Sequence, residues 1–267
     1  MRLLYSSIAE TEAAQVAFAD YSDAQQLRAL VAASGRIDSR LGSIYSTPLS
    51  TRATGTVLFT GIPADGETVV VSSVTYRFKT TAAQAFDVTR GATAALTAVN
   101  FARALNASSQ GGYYTGTTIN PDVEATAETA SVPVRVRFGG TAGNVITLSS
   151  TSSALTITGF SGGASDYSQL GSIAQMLAVS FLLRGQNPGP GQNISKDQPQ
   201  DYYKIAMDWL SELALGNELL TDDTGTAASM DPSARPWSDT SEIHATPFAD
   251  EGDPCYWEHD TDKDFSR

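Results

Sequence analysis

The sequence predicts an α+β protein: a helical bundle interrupted by an inserted, mostly antiparallel β-sheet domain with one helix, followed by an extended C-terminal tail. In residues 22–49 apolar side chains recur every three to four positions, as on one face of a helix. From Thr54 the apolar period becomes two, as in strands, and helical spacing returns after residue 166. The predicted parts are a discontinuous helical domain (1–53 and 166–217), an insert (54–165) and a tail (218–267).

Two capping boxes predict the first helices. Ser7 with Glu10 begins a short helix that ends near Ala19, and Ser22 with Gln25 begins a long helix over residues 23–45. Pro48 ends the long helix, because the residue before a proline avoids the α conformation. Tyr45, near its end, is expected to be an exposed anchor. The apolar stripe of this helix is expected in the helical core: Leu27, Leu30, Ile37 and Leu41.

The insert is predicted to contain seven strands and one helix in the order β-β-β-α-β-β-β-β. The helix runs from about Ala92 to Leu105, and Asp65-Gly66 marks a hairpin turn. Alternation of Val and Arg places Arg135 and Arg137 on the solvent face, and the glycine-rich residues 139–144 are expected to form a hairpin turn. The predicted strands are residues 55–60, 68–73, 74–80, 122–128, 132–138, 144–150 and 154–160.

Two further helices complete the predicted helical domain. Ser165 or Asp166 is expected to cap the first, whose core residues are Ile173, Leu177 and Phe181. A Gly/Pro/Asn-rich linker, residues 185–200, follows. Pro199 suits the first turn of the next helix, since the amide of that turn has no partner within the helix. The core residues of this last helix are expected to be Ile205, Trp209 and Leu213.

Charge is distributed unevenly along the chain. Of the net charge of −12, residues 218–267 carry −10, whereas residues 54–165 carry equal numbers of acidic and basic residues. No basic cluster is present, so specific nucleic-acid binding is not expected. The longest nearly apolar run, residues 173–183, is too short to span a membrane. The N-terminal MRLLYSS lacks the pattern of a signal peptide, and the single cysteine, Cys255, excludes an internal disulfide.

The acidic tail has little periodicity, and its scattered apolar residues are expected to contact a partner protein or a neighbouring subunit. They are Met230, Trp237, Ile243, Phe248, Tyr256, Trp257 and Phe265.

No pattern in the sequence predicts catalysis, a cofactor or a metal site. Residues 159–163 match G-x-S-x-G, but the only histidines, His244 and His259, lie in the tail, so an exit from the insert is the preferred interpretation. Cys255 and His259 lack a second pair of zinc ligands. Residues 260–264 begin like a calcium loop but lack its glycine and its closing glutamate.

Three helical stretches resemble the phage head–tail connector proteins (adaptor or head-completion proteins) of long-tailed, Mu-like phages. They are SDAQQLRALVAASGRIDSRLGSIYSTPL with its Tyr-x-x-Pro-Leu corner, YSQLGSIAQMLAVSFLLRG, and DYYKIAMDWLSELALGNELL. The helical regions of the resemblance cover about 100 of the 267 residues. The insert, with TGTVLFTGIPADGETVVVSSVTYRFKT and GNVITL, looks like a module that recurs in phage virion proteins. Family members are usually much shorter, so the role of the insert does not follow from them.

The resemblance implies a helical-bundle connector core and a structural role in the virion neck, after assembly in the host cytoplasm. It implies a homo-oligomeric ring, commonly a dodecamer, that binds the portal protein and also meets a tail terminator or the next neck ring. Genomic DNA would pass through the ring without specific binding, and no membrane would be involved. The alternative interpretation is a decoration or adhesin-like binding module, with the insert carried on a helical mount.

Overall fold

A computed structural model of the chain describes residues 3–184, 198–228 and 230, which belong to one compact unit. The fold class is α+β, as predicted: within these described ranges, five helices accompany two four-stranded sheets. None of the helices in the described ranges is long and apolar enough to cross a membrane.

The N-terminal helices begin where the capping boxes predict. Helix α1 is Ile8–Ala14, and the Ser7 hydroxyl accepts a hydrogen bond from the Glu10 amide at 3.1 Å. A short 3₁₀ turn, Val16–Phe18, leads to helix α2, Asp23–Leu41. Helix α2 therefore ends four residues before the predicted end.

Tyr45 is buried, so the expectation that it is an exposed anchor is wrong. The chain leaves α2 at Gly42, whose amide donates to Asp38 O, and turns so that the Tyr45 ring enters the core. There the Tyr45 hydroxyl accepts a hydrogen bond from the Leu220 amide at 3.4 Å. Tyr45 thus joins the end of α2 to the segment that follows the last helix.

Helices α4 (Ser168–Arg184) and α5 (Gln198–Ala214) pack against α2. Arg36 of α2 donates to the Tyr203 hydroxyl of α5 at 3.2 Å. Phe181 is partly buried and packs on the Tyr203 ring. The buried residues of the predicted helical core are Leu27, Leu30, Ile37, Leu41, Ile173, Leu177 and Leu213.

The start of α4 differs from its predicted capping. The Ser168 amide donates to the Asp223 carboxylate at 3.0 Å, so the segment after α5 supplies this bond. Asp166 instead accepts from the amide and the hydroxyl of Thr141. The expectation that Asp166 caps the helix fails because its carboxylate faces a different part of the chain.

The first sheet is antiparallel, in the order β5-β6-β1-β8. The second has the order β4-β3-β2-β7 and is antiparallel except between β3 and β4. The strands are β1 Arg52–Phe59, β2 Thr68–Val71, β3 Val74–Lys79, β4 Asp87–Thr89, β5 Val123–Ala125, β6 Ser131–Gly139, β7 Leu148–Ser150 and β8 Leu155–Ser161.

Helix α3, Ala94–Leu105, joins the two sheets through one aromatic ring. The Phe101 ring lies 6.0 Å from Phe59 of the first sheet and 5.6 Å from Tyr76 of the second, measured between ring centroids. Such contacts stabilise beyond the area that they bury. Buried side chains of helices and sheets form one continuous cluster, so a separate helical-bundle core is not evident.

Four details of the predicted insert are wrong. Asp65-Gly66 does not lie in a hairpin, because the strands on either side of it, β1 and β2, belong to different sheets. Strand β4 was not predicted, because it has only three residues and begins with the polar Asp87. The Asp87 side chain is buried, and its carboxylate accepts a hydrogen bond from Arg77 at 2.9 Å. Residues 139–144 are not a hairpin turn, because β6 and β7 belong to different sheets. The start of the predicted strand 144–150 lies in a 3₁₀ turn, Thr141–Val145.

Arg137 is buried, against the expectation that it faces solvent with Arg135. Thr54 of β1 pairs with Arg135 and Arg52 pairs with Gly139, so three residues of β6 lie opposite Ala53 alone. This irregularity breaks the period-two alternation, as β-bulges do. Val136, Arg137 and Phe138 are all buried as a result, whereas Arg135 remains exposed.

Candidate interaction surfaces

The outward side of α5 carries two large apolar side chains. Ile205 is 43% exposed and Trp209 is 44% exposed, so the prediction that both lie in the core is wrong. The buried side of α5 is centred on Ala206, Leu210 and Leu213, which face α2 and α4. Positions 205 and 209 lie one turn apart at the margin of that stripe. Ile205 and Trp209 are called the α5 pair below.

Charged residues surround the α5 pair. Asp208 and Glu212 are exposed and share its side of the helix, since they lie three and seven residues after Ile205. Lys204 and Asp201 are also exposed. An apolar centre with a charged rim is the arrangement found in many protein–protein interfaces, where Trp often contributes most of the binding energy.

A groove of about 760 Å³ lies between the N-terminal half of α2 and the residues that follow α3. Its apolar wall includes Leu27, Val31 and Ile119, and Arg28 and Asp23 also line it. Arg28 is exposed and Asp23 is half-buried. The groove lining is Ser22, Asp23, Ala24, Leu27, Arg28, Val31, Asn106, Ala107, Thr118 and Ile119.

Of the apolar residues predicted to contact partners from the tail, Met230 lies in the described part of the chain. It is exposed, and its backbone forms an isolated antiparallel bridge with Tyr45. The others lie outside the described residues: Trp237, Ile243, Phe248, Tyr256, Trp257 and Phe265.

The G-x-S-x-G segment is built differently from a nucleophile elbow. Ser161 is the exposed last residue of β8, which pairs antiparallel with β1. A nucleophile elbow joins a strand of a parallel sheet directly to a helix, whereas α4 begins seven residues after Ser161. Within the described residues, no group of three or more His, Cys, Asp or Glu side chains could hold a metal ion. Cys255, His244, His259 and residues 260–264 lie outside that range.

A buried charge cluster ties three strands of the first sheet together. Glu124 of β5 accepts from Arg52 of β1 at 2.8 Å, and its second oxygen lies 3.6 Å from Arg137 of β6. Arg137 also donates to Asn120 O at 3.1 Å. Burial lowers the pKa of both arginines, and the Glu124 carboxylate opposes that effect by favouring their charged forms. Each arginine of the cluster lies beside the Glu124 carboxylate, so the three side chains serve to hold the strands together.

The described surface therefore offers contacts for other macromolecules: the α5 pair with its charged rim, and the groove beside α2. The sequence alone did not separate these surfaces from the core, because Ile205 and Trp209 fit a helical stripe as well as Leu210 does. Searches against protein-family models and against curated proteins found no match for this chain.

Proposed function

We propose that this chain is a structural protein of the phage virion neck. In this proposal it is a head–tail adaptor that forms a ring beneath the portal, joins the capsid to the tail and lets genomic DNA pass. It is not an enzyme. The helical stretches described above support the proposal through their resemblance to connector proteins, and the observation that carries it is the exposed α5 pair.

The α5 pair favours a protein that functions in an assembly. A tryptophan side chain can bury about 150–250 Å² of surface, so a tryptophan that stays in water does not contribute its large hydrophobic free energy to folding. Trp209 and Ile205 lie on a well-formed helix whose other side is packed, and not in a loop. A surface of this kind is expected to be covered by another protein.

The charge of the chain agrees with passage of DNA without binding. Phosphate contacts require lysine and arginine clusters, and residues 1–217 have none, since their net charge is −2 with basic residues scattered along the chain. A channel wall without a basic cluster lets the DNA backbone move past it. The protein would serve as a mechanical joint between portal and tail, with a tail terminator or the next neck ring on its other side.

The tail would supply the portal contact. Residues 218–267 combine a net charge of −10 with scattered aromatic side chains, including Trp237 and Trp257. A segment of this composition buries too little apolar surface to form its own core. A chain that ends at Met230 should therefore keep the fold of the described unit and lose its affinity for the portal.

The test is the copy number of the protein on purified portal, measured by native mass spectrometry. A fixed ring of copies per portal is expected for the wild type. Trp209→Asp should reduce occupancy, whereas Leu58→Asp should not, because Leu58 is comparably exposed but lies on β1 of the insert. A single copy per portal ring would contradict the proposal. Monomers in free solution would not contradict it, since such a ring can form on the portal.

A further inference from the structure

The α5 pair and the α2 groove are complementary surfaces of the same chain. The α5 pair projects two large apolar side chains, and the groove offers about 760 Å³ of space with apolar walls. That volume is within the range of about 300–1,000 Å³ typical of clefts that bind a small organic group, which is enough space for one indole ring and one isoleucine side chain.

The charges are complementary at one position. Exposed Asp208 and Glu212 accompany the α5 pair, and exposed Arg28 lines the groove. At the other end of the α5 pair, Asp201 and Lys204 carry opposite charges and offset each other near Asp23 of the groove. Rim charges of opposite sign guide two surfaces into register and exclude alternative contacts.

The two surfaces cannot meet within one molecule as it is folded. Helix α5 packs against α2 through its other side, where Arg36 donates to Tyr203, while the α5 pair remains exposed. A second copy of the chain can satisfy both surfaces: it presents its groove to one neighbour and its α5 pair to the next. Such a head-to-tail contact generates a closed ring or an open helix, and not a two-fold dimer.

We infer that the α5 pair of one copy docks in the groove between α2 and α3 of the next copy. The partner is thus a second copy of this chain, held by apolar contact at the centre and by Asp208–Arg28 attraction at the rim. The inference rests on the proposed ring, for which it names the contact between subunits. It does not involve the tail or the portal.

Disulfide trapping in the full-length chain tests the contact. In a Cys255→Ser background, Ala24→Cys places a thiol at the groove and Ile205→Cys places one on α5. Under mild oxidation at high protein concentration, a mixture of the two single variants should give cross-linked dimers, and each variant alone should not. A chain that carries both thiols should give a ladder of multimers. Cross-links within one variant, or none in the mixture, would overturn the inference.

Charge reversal provides a second measurement that leaves the apolar core untouched. Arg28→Glu should weaken trapping or association about tenfold, and Asp208→Arg in the same chain should restore much of it. The matched control is Arg40→Glu, because Arg40 is also exposed on α2 but lies twelve residues after Arg28, near the end of the helix. If Arg28→Glu weakens association and Asp208→Arg does not restore it, the two residues are not paired across the contact. Circular dichroism checks that each variant remains folded.

The two proposals fail separately. If the thiols cross-link but portal carries a single copy, the contact between copies holds and the neck function does not. If portal carries a ring whose copies do not cross-link between Ala24→Cys and Ile205→Cys, the neck function holds and this contact is wrong.

Discussion

Thr51 and Ala164 exchange two backbone hydrogen bonds across the base of the β-rich segment. The Thr51 amide donates to Ala164 O at 3.0 Å, and the Ala164 amide donates to Thr51 O at 3.4 Å. The chain thus enters and leaves the sheets at adjacent points, and a segment with adjacent ends can be removed without separating the helices that flank it.

Replacing residues 54–165 with a short Gly/Ser linker should leave a helical protein that unfolds cooperatively at a lower temperature. The loss of stability is expected because Leu4 donates to Arg137 O and accepts from the Gly139 amide, each at 3.0 Å, and both bonds disappear with the insert. Circular dichroism during heating measures this.

Residues 54–165 expressed alone should give a folded, β-rich monomer. If neither fragment shows a cooperative transition, the continuous cluster of buried side chains makes the helices and sheets one domain, and the proposed boundaries fail.

Arg137→Ala should destabilise the protein by about 2–5 kcal/mol, because it removes a fully buried side chain, leaves a cavity and deprives the Asn120 carbonyl of its donor. Arg135→Ala, two residues away on the same strand and exposed, should change stability by no more than about 0.5 kcal/mol. Urea denaturation of both variants gives the comparison. Equal effects would show that the buried cluster contributes nothing specific.

This pair of arginines also shows how far the sequence predicts the structure. The Val–Arg alternation predicts the strand correctly but gives both arginines the same face, because a bulge depends on the pairing partner and not on local spacing. The capping boxes and the buried stripe of α2 are local features, and there the sequence was sufficient. Trp209 was misplaced for a similar reason: the width of the buried stripe of a helix depends on how many helices surround it, and not on spacing along the chain.

Alkaline pH should destabilise the protein through buried tyrosines. The Tyr5 hydroxyl donates to Asp38 at 2.6 Å, and burial together with that carboxylate raises the Tyr5 pKa far above its usual value. Burial raises the pKa of Tyr76 to about 12. Unfolded tyrosines lose their protons near about pH 10, so above that pH the unfolded state binds fewer protons and stability falls as pH rises.

The measurement is the melting temperature from about pH 8 to about pH 11. Tyr5→Phe should be less stable at neutral pH, since Asp38 and the Leu49 amide lose a partner, but its melting temperature should fall less steeply above about pH 10. An unchanged slope in Tyr5→Phe would exclude Tyr5 as a source of the alkaline sensitivity.

Adjacent residues on α5 should respond in opposite ways to truncation. Leu210 is fully buried, so Leu210→Ala removes buried methyl groups, leaves a cavity and should cost about 2–5 kcal/mol. Trp209→Ala removes a side chain that is 44% exposed and should cost less, about 1–2 kcal/mol. Thermal denaturation measures both losses of stability.

Trp209→Ala should impair the association of copies while the fold persists, because Trp209 contributes to contacts between molecules and Leu210 to contacts within one. Disulfide trapping, or the copy number on portal, measures this association. If Trp209→Ala instead destabilises the monomer as much as Leu210→Ala does, Trp209 belongs to the core after all and the α5 pair cannot be a docking surface.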